Sequence, residues 1–464
     1  MKCSLLRDPN RVALCALLAV LTGLALMMGY FVSRHGAASP HGRVLFGAAS
    51  YATLADGMLA HGFSGSNGGE PLGRMPLYIG LVLLAKVLGG NAWSYVLIAL
   101  QGAMALATGV MIQRIAARLS ESSWVPAAIT VAYTAHLGLQ IEHFALRETG
   151  LYEFIIAGFF YFATHRPAAA SQFFGMVAAA VLAYYTRPTG VLLLIPLALC
   201  ALLLPARSMG SRLQRLAWTV GAVVLCAAPW QVYQSYARGQ FTLDATDVGG
   251  LNLYKGNSYA YESVSPYVDQ DDAPGFIDKI TAAYEQTHTA PEQVTDWAED
   301  NYLRQLAKAD IHADYFRYLR KAILRIESYL SPLETPLGSA RVDMAGARVV
   351  LNDYRGNFVD ADAGWLPFLG QLSFFVVLFA VPLGALGLIR GVTIPAQRPV
   401  ALATLCFLLA NVAAHAALTA ETRYRLYLDP LFLAWSALAL GAIFAAPSGR
   451  VPCDAVPDAP TQLG

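Results

Sequence analysis

PLYIGLVLLAKVLG, residues 76–89, is apolar enough for a membrane and too short to cross one. At 1.5 Å per residue its fourteen residues reach about 21 Å, against a hydrocarbon core about 30 Å thick. The runs on either side, 12–32 and 92–113, are long enough. So are most of the apolar runs that follow, at 124–141, 149–164, 171–186, 188–205, 216–236, 366–389, 399–418 and 426–446. If 76–89 is a juxtamembrane or re-entrant helix, the chain has about ten spans. If it is a span, every later loop changes side.

Arginine placement chooses between the two. With the N-terminus inside, the inner loops of the ten-span reading carry Arg114 and Arg118, Arg166, the Arg207, Arg212 and Arg215 cluster, Arg390 and Arg398, and Arg450. That is the bias of the positive-inside rule. The sequence thus predicts an all-α polytopic membrane protein with a juxtamembrane helix and both termini cytoplasmic. Composition agrees: 56% of the 464 residues are hydrophobic and 14% charged, where soluble domains carry about 25% charged residues. A net charge of +1 gives no footprint for nucleic acid. Abundant Ala and a preference for Arg over Lys suggest a bacterial chain with a GC-rich gene. The first span follows Lys2, Arg7 and Arg11, is too long for a typical signal-peptide core, and reads as retained.

The predicted organisation is an N-terminal membrane module of seven spans over 1–236, containing a first outer loop at 33–91. An outer loop domain follows at 237–365, then three spans over 366–446 and a cytoplasmic tail at 447–464. The loop domain holds none of the six cysteines and needs no disulfide. Two helices are expected in it, from about Pro291 to Ala309 and from about Ala313 to Leu330, so it reads as mainly α. The second sets Arg317, Arg320, Lys321 and Arg325 among Tyr315, Phe316 and Leu319; it fits a lipid headgroup surface or a solvated face. Asp269, Asp271 and Asp272 offer oxygens to a divalent cation but lack the glycine and terminal glutamate of an EF-hand loop, and read first as a solvated turn. Tyr254, Tyr259, Tyr261 and Tyr267 suit sugar faces, loop packing or the interface alike.

Charge at membrane depth is costly and tends to serve function or pair internally. Four places carry it, all at predicted outer span ends. They are Glu142-His143 with Arg147-Glu148; Arg187-Pro188; Glu421, Arg423 and Arg425 with Asp429; and Glu70 with Arg74 and Pro76. Singly, each reads as an anchor or a structural ion pair. Together on one face, arginines beside carboxylates suit a phosphorylated ligand handled next to an acid or base, because a guanidinium offers phosphate a planar fork of donors. No P-loop, HExxH or GxSxG motif is present.

Four stretches in order resemble the GT-C superfamily of membrane glycosyltransferases, in the branch of protein O-mannosyltransferases and aminoarabinose (lipid A) transferases. SYATLADGMLAHGFS…EPLGRMPLYIGLVLLAKVLGG at 50–90 is similar to that family's first outer loop, with its R-x-P-x-Y start to a short helix. LRETGLYEF at 146–154 is similar to its second acidic position, YYTRPTGVLLLIPLAL at 184–199 to its RP-containing connection, and ETRYRLYLDPLFL at 421–433 to its R-Y-R…P signature. GLNLYKGN at 250–257 is similar to outer-loop segments of bacterial members. The resemblance implies a bacterial inner-membrane enzyme that takes a sugar from a polyprenyl-phosphate donor at the outer face, in one inverting step, and passes it to a hydroxyl of a glycan, lipid or protein. It implies donor-phosphate contacts at Arg74 and Arg187, with Arg423 and Arg425 as further candidates.

One position departs. The family carries an Asp three or four residues before the loop-one tyrosine; here Gly47, Ala48, Ala49 and Ser50 precede Tyr51. Glu148 is therefore the first candidate for the catalytic carboxylate and Asp56 the second. Tyr51, Glu70, Tyr78, Glu142 and His143 complete the expected site. No cofactor is demanded; a divalent cation remains open. Other readings are a polysaccharide polymerase or ligase, a binding-only relative lacking the first-loop acid, and a transporter, which the lack of an internal repeat disfavours.

Overall fold

The computed structural model describes residues 8–35, 49–62, 73–144, 147–165, 170–206, 208–246, 248–257, 296–330, four short segments between 334 and 360, 366–418 and 423–444. Statements below concern these residues. Five helical stretches among them are long and apolar enough to cross a membrane: Pro9–Tyr30, Pro76–Leu119, Met209–Ala237, Leu372–Thr393 and Arg398–Ala417. Shorter apolar helices lie at Val125–Ala135, Thr149–Ala163, Pro188–Leu203 and Asp429–Ile443. The chain is an α-helical polytopic membrane protein.

Helix α1 (Pro9–His35) is followed by α2 (Ala49–His61) and α3 (Pro76–Gly89). Helix α3 stops where Gly90 takes φ 50 and its N–H closes on the Lys86 carbonyl. A left-handed residue ends a helix cheaply only if it is glycine. A single 3-10 turn then leads into α4 (Trp93–Leu119). The apolar stretch 76–119 is thus two helices, and α3 keeps the short length expected of it.

Three of the predicted spans are each built in two pieces. The third is α5 (Val125–Ala135) and α6 (Leu137–Phe144), broken at His136. Helices α7 (Thr149–Ala163) and α8 (Ala170–Thr186) follow. The sixth begins as a 3-10 turn, Pro188–Leu193, before α9 (Leu194–Leu203), and α10 (Met209–Ala237) follows it. After the outer segment come α14 (Leu366–Thr393) and α15 (Arg398–Ala417). The last span is opened by the one-turn α16 (Arg423–Leu426) and continued by α17 (Asp429–Ile443).

Helices α14 and α17 pack closest. A Cβ on Gly384 would meet the Phe432 carbonyl at 2.5 Å, and one on Gly387 the Trp435 carbonyl at 1.9 Å. Small residues one turn apart let membrane helices approach to backbone contact. Across this seam the buried Ser436 hydroxyl donates to the Ala380 carbonyl at 3.3 Å, and the Trp435 indole donates to Thr404 Oγ1 on α15 at 3.2 Å.

The outer segment holds α11 (Gly249–Asn257), α12 (Asp296–Ala313) and α13 (Tyr315–Leu330). Pro291 and the acidic cluster at 269–272 lie outside the described residues. Tyr254, Leu303 and Ala307 form a small core between α11 and α12. Asp300 ties the same pair together by accepting from the Leu251 N–H at 2.9 Å, and it is steadied within α12 by Arg304 at 3.1 Å. The sequence reading included no sheet here. The structure adds a four-stranded antiparallel meander of β1 (Glu334–Leu337), β2 (Ala340–Asp343), β3 (Arg348–Asn352) and β4 (Phe358–Asp360). Leu337 pairs with Ala340 at one end of the β1–β2 ladder. Strands of three to five residues are too short to show a periodic pattern against their flanks.

Candidate functional site

Arg187 owes its placement to the residues after it. Pro188 disfavours helical backbone at the preceding residue, and Arg187 is extended at φ −147, ψ 145. The chain then folds back onto α8 so tightly that a Cβ on Gly190 would lie 2.2 Å from the Ala183 carbonyl. The R-P-T-G stretch is therefore a device that ends α8 and turns one arginine toward the neighbouring helix end.

That helix end belongs to α7, whose first turn follows Glu148. Arg187 Nε stands 3.5 Å from Glu148 Oε1, and the Tyr51 hydroxyl donates to Glu148 Oε2 at 2.7 Å. Residues 97 apart in the chain are thus joined through one carboxylate, which is 19% exposed. The Tyr51 ring meets Tyr78 edge-on with centroids 4.9 Å apart, and the buried Tyr78 hydroxyl accepts from Gln101 at 3.3 Å. Tyr51, Tyr78, Glu148 and Arg187 form one connected group.

Arg187 is also boxed by rings. Its guanidinium carbon lies 5.7 Å from the Tyr152 centroid, 5.0 Å from Tyr424 and 5.3 Å from Tyr427, within the range of cation–π attraction. Enclosure works against its charge. Glu148 and the hydroxyls of Tyr427, Tyr424 and Tyr152 outweigh that and hold the guanidinium above its usual range. Enclosure, then the Glu148 charge, pushes the Tyr51 phenol well up, while Arg74 and Arg187 pull it the other way. Tyr51 is therefore a neutral donor beside a carboxylate, and Arg74 is close enough for its field to act there. The three boxing tyrosines stand inside the quoted motif stretches but were assigned no role from sequence; their signal was tyrosine recurring beside Arg and Glu at span ends.

The other expected residues are distributed differently. Asp56 pairs with Lys86 at 2.5 Å and is 65% exposed; five residues after Tyr51, it points roughly 140° away around α2. Arg425 is not turned toward this group. It is 1% exposed, donates to Asp429 at 3.1 Å and to the Tyr329 carbonyl at 3.4 Å. Asp429 in turn meets His136 Nε2 at 2.9 Å, so the breaks before α6 and α17 are cross-linked by buried polar groups. Glu142 faces Arg147 at 3.6 Å. His143 Nε2 lies 3.0 Å from Glu153 and 3.1 Å from the Tyr133 hydroxyl, in a separate buried cluster. Glu70 lies outside the described residues, and so does the side chain of Arg423. Among the described residues no three His, Cys, Asp or Glu side chains converge as a metal site.

No model of a known protein family matches the chain, and no curated protein matches it. Two solved structures do, both of ArnT from Cupriavidus metallidurans. The form bound to undecaprenyl phosphate is 15% identical over 91% of this chain and 77% of that one, with a TM-score of 0.38. The apo form is 14% identical over 84% and 71%, with a TM-score of 0.33. At these scores the likeness carries neither fold nor chemistry, which rest on the residues themselves.

Proposed function

We propose that the chain is a membrane glycosyltransferase that moves a sugar from a polyprenyl-phosphate donor to an acceptor hydroxyl at the outer face of its membrane. The observation that carries this reading is one carboxylate, Glu148, held between the Tyr51 hydroxyl and the boxed Arg187 at one end of a polytopic bundle. The motif resemblance supports it.

Chemistry follows from the groups. The acceptor oxygen attacks the anomeric carbon, the bond from that carbon to the phosphate oxygen breaks, and the phosphate leaves with the electron pair. Glu148 takes the acceptor proton as general base. Tyr51 orients the carboxylate by donating to its other oxygen. Arg187, with Arg74 near enough to act on Tyr51, stabilises the negative charge that grows on the leaving phosphate. The tyrosine box keeps Arg187 from swinging to water, so its donors are in place before the donor arrives. Lipid diffusing in the bilayer reaches such a site at the headgroup level, where the span ends lie. Asp56 and Arg425 take no part in this reading, since one faces Lys86 and the other is spent on Asp429.

The test uses membranes containing the full chain, supplied with a labelled polyprenyl-phosphate sugar and acceptor extract. Glu148→Gln should lower transfer by about 10²-fold or more, and Asp56→Asn should leave it within about twofold. Full transfer by Glu148→Gln would overturn the base assignment. Arg187→Ala should weaken donor use; unchanged donor dependence would remove Arg187 from the phosphate site.

A further inference from the structure

Helix α13 is fastened on one side and open on the other. On the inner side Arg325 donates to the Gly256 carbonyl, to Asn257 Oδ1 at 3.0 Å and to the Leu418 carbonyl at 3.2 Å; burial pulls this guanidinium down to about 10. The Tyr329 hydroxyl donates to the Tyr424 carbonyl at 3.0 Å, and its ring stacks on His415 at 5.2 Å. These contacts hold the last two turns of α13 at the level where span α15 ends.

The outer side is apolar. At about 100° per residue, Phe316, Leu319, Ile323 and Leu330 fall within one stripe roughly 60° wide. All four are exposed, Phe316 at 84% and Ile323 at 67%. Arg320 borders the stripe and Lys321 continues that flank, while Arg317 turns its guanidinium nitrogens into the protein; Glu327 is the lone carboxylate of the helix. Nothing among the described residues covers the stripe.

We infer that α13 is a membrane-surface helix that sinks Phe316, Leu319 and Ile323 into the headgroup boundary and sets its cationic flank against anionic phospholipid. Two observations favour lipid over a protein partner. The spans bring a bilayer to the foot of α13, which is tied at Leu418 to the outer end of span α15, and the spans themselves expose apolar side chains such as Phe375, Phe379 and Leu409. The cations beside the stripe match anionic headgroups, as in other interfacial helices. The inference does not depend on the sugar-transfer reading, and its test reads no activity.

The full chain is made with photoreactive benzoylphenylalanine replacing Phe316 or, in a second variant, Ile323. Each is reconstituted in phosphatidylcholine vesicles with and without phosphatidylglycerol, irradiated and analysed by mass spectrometry. Both positions are exposed, so neither replacement disturbs packing. Phospholipid adducts at both positions are expected, enriched in phosphatidylglycerol, with the enrichment falling by up to about fivefold for each cation removed in Arg320→Ala and Lys321→Ala. Adducts to another segment of the chain, adducts to a second copy, or no adducts would overturn the inference. Equal capture of both lipids would overturn its electrostatic part.

Discussion

Tyr51 donates its phenolic hydrogen to a carboxylate that also faces a guanidinium, and the two contacts do different work. The hydroxyl fixes which way the Glu148 oxygens point; Arg187 fixes their charge. A hydrogen bond to a charged group is worth about 1.5–3 kcal/mol. Tyr51→Phe should therefore lower transfer roughly ten- to a hundredfold while the ring still packs on Tyr78, and an unchanged melting temperature alongside the lost rate is the result that checks it. Asp429 plays the opposite kind of role. It holds Arg425 and His136 in the interior, so Asp429→Ala leaves both without their carboxylate. Removing one partner from a buried ion pair costs about 3–5 kcal/mol. A fall in the detergent melting temperature is expected, and an unchanged one would mean that the pair adds nothing to the fold.

At the scale of elements, the turn after α8 is the most sensitive joint. Gly190 lies against the backbone of Ala183, so a methyl group there has no side chain to push aside. Gly190→Ala should cost about 1–3 kcal/mol by overpacking and should displace Arg187 as well. Thermal melting and donor dependence should both worsen. Loss of stability with donor use intact would separate the turn from the site. The same joint explains why the R-P-T-G stretch was legible: proline and glycine act on their own backbone, and sequence shows them directly. The break at His136 was not legible, because no proline marks it, Gly138 alone is a weak signal, and the ring is held by Asp429 on α17, 293 residues away.

At the scale of the whole molecule, the arginine bias predicts that the two ends of α10 face opposite compartments. Helix α10 has 29 residues, about 43 Å at 1.5 Å each. Gln214→Cys and Gln240→Cys, each in a chain whose own cysteines are replaced by serine, should label oppositely with a membrane-impermeant thiol reagent. Gln240→Cys should react in intact cells and Gln214→Cys only after permeabilisation. The reverse pattern would invert the protein and move the Glu148 group to the inner face. The outer segment divides in the same way between legible and illegible parts. Its two long helices carry enough periodic positions to be seen in sequence. Its sheet is made of strands too short to repeat a pattern.

The sequence by itself determined the polytopic helical class, the short α3 and the turn that places Arg187, since each depends on apolar length or on local backbone chemistry. For the carboxylate of the proposed reaction it offered Glu148 and Asp56. Only the tertiary structure decided between their surroundings. Both are acids close to a tyrosine in the chain or in the motif pattern, and nothing local tells them apart. Packing of α2 against the end of α7 carries the Tyr51 hydroxyl to Glu148, while the helical twist turns Asp56 to Lys86. The burial of Arg425 against Asp429 was illegible for the same reason: charge is written in the sequence, but whether a charge faces the bundle end or the bundle interior is set by what packs around it.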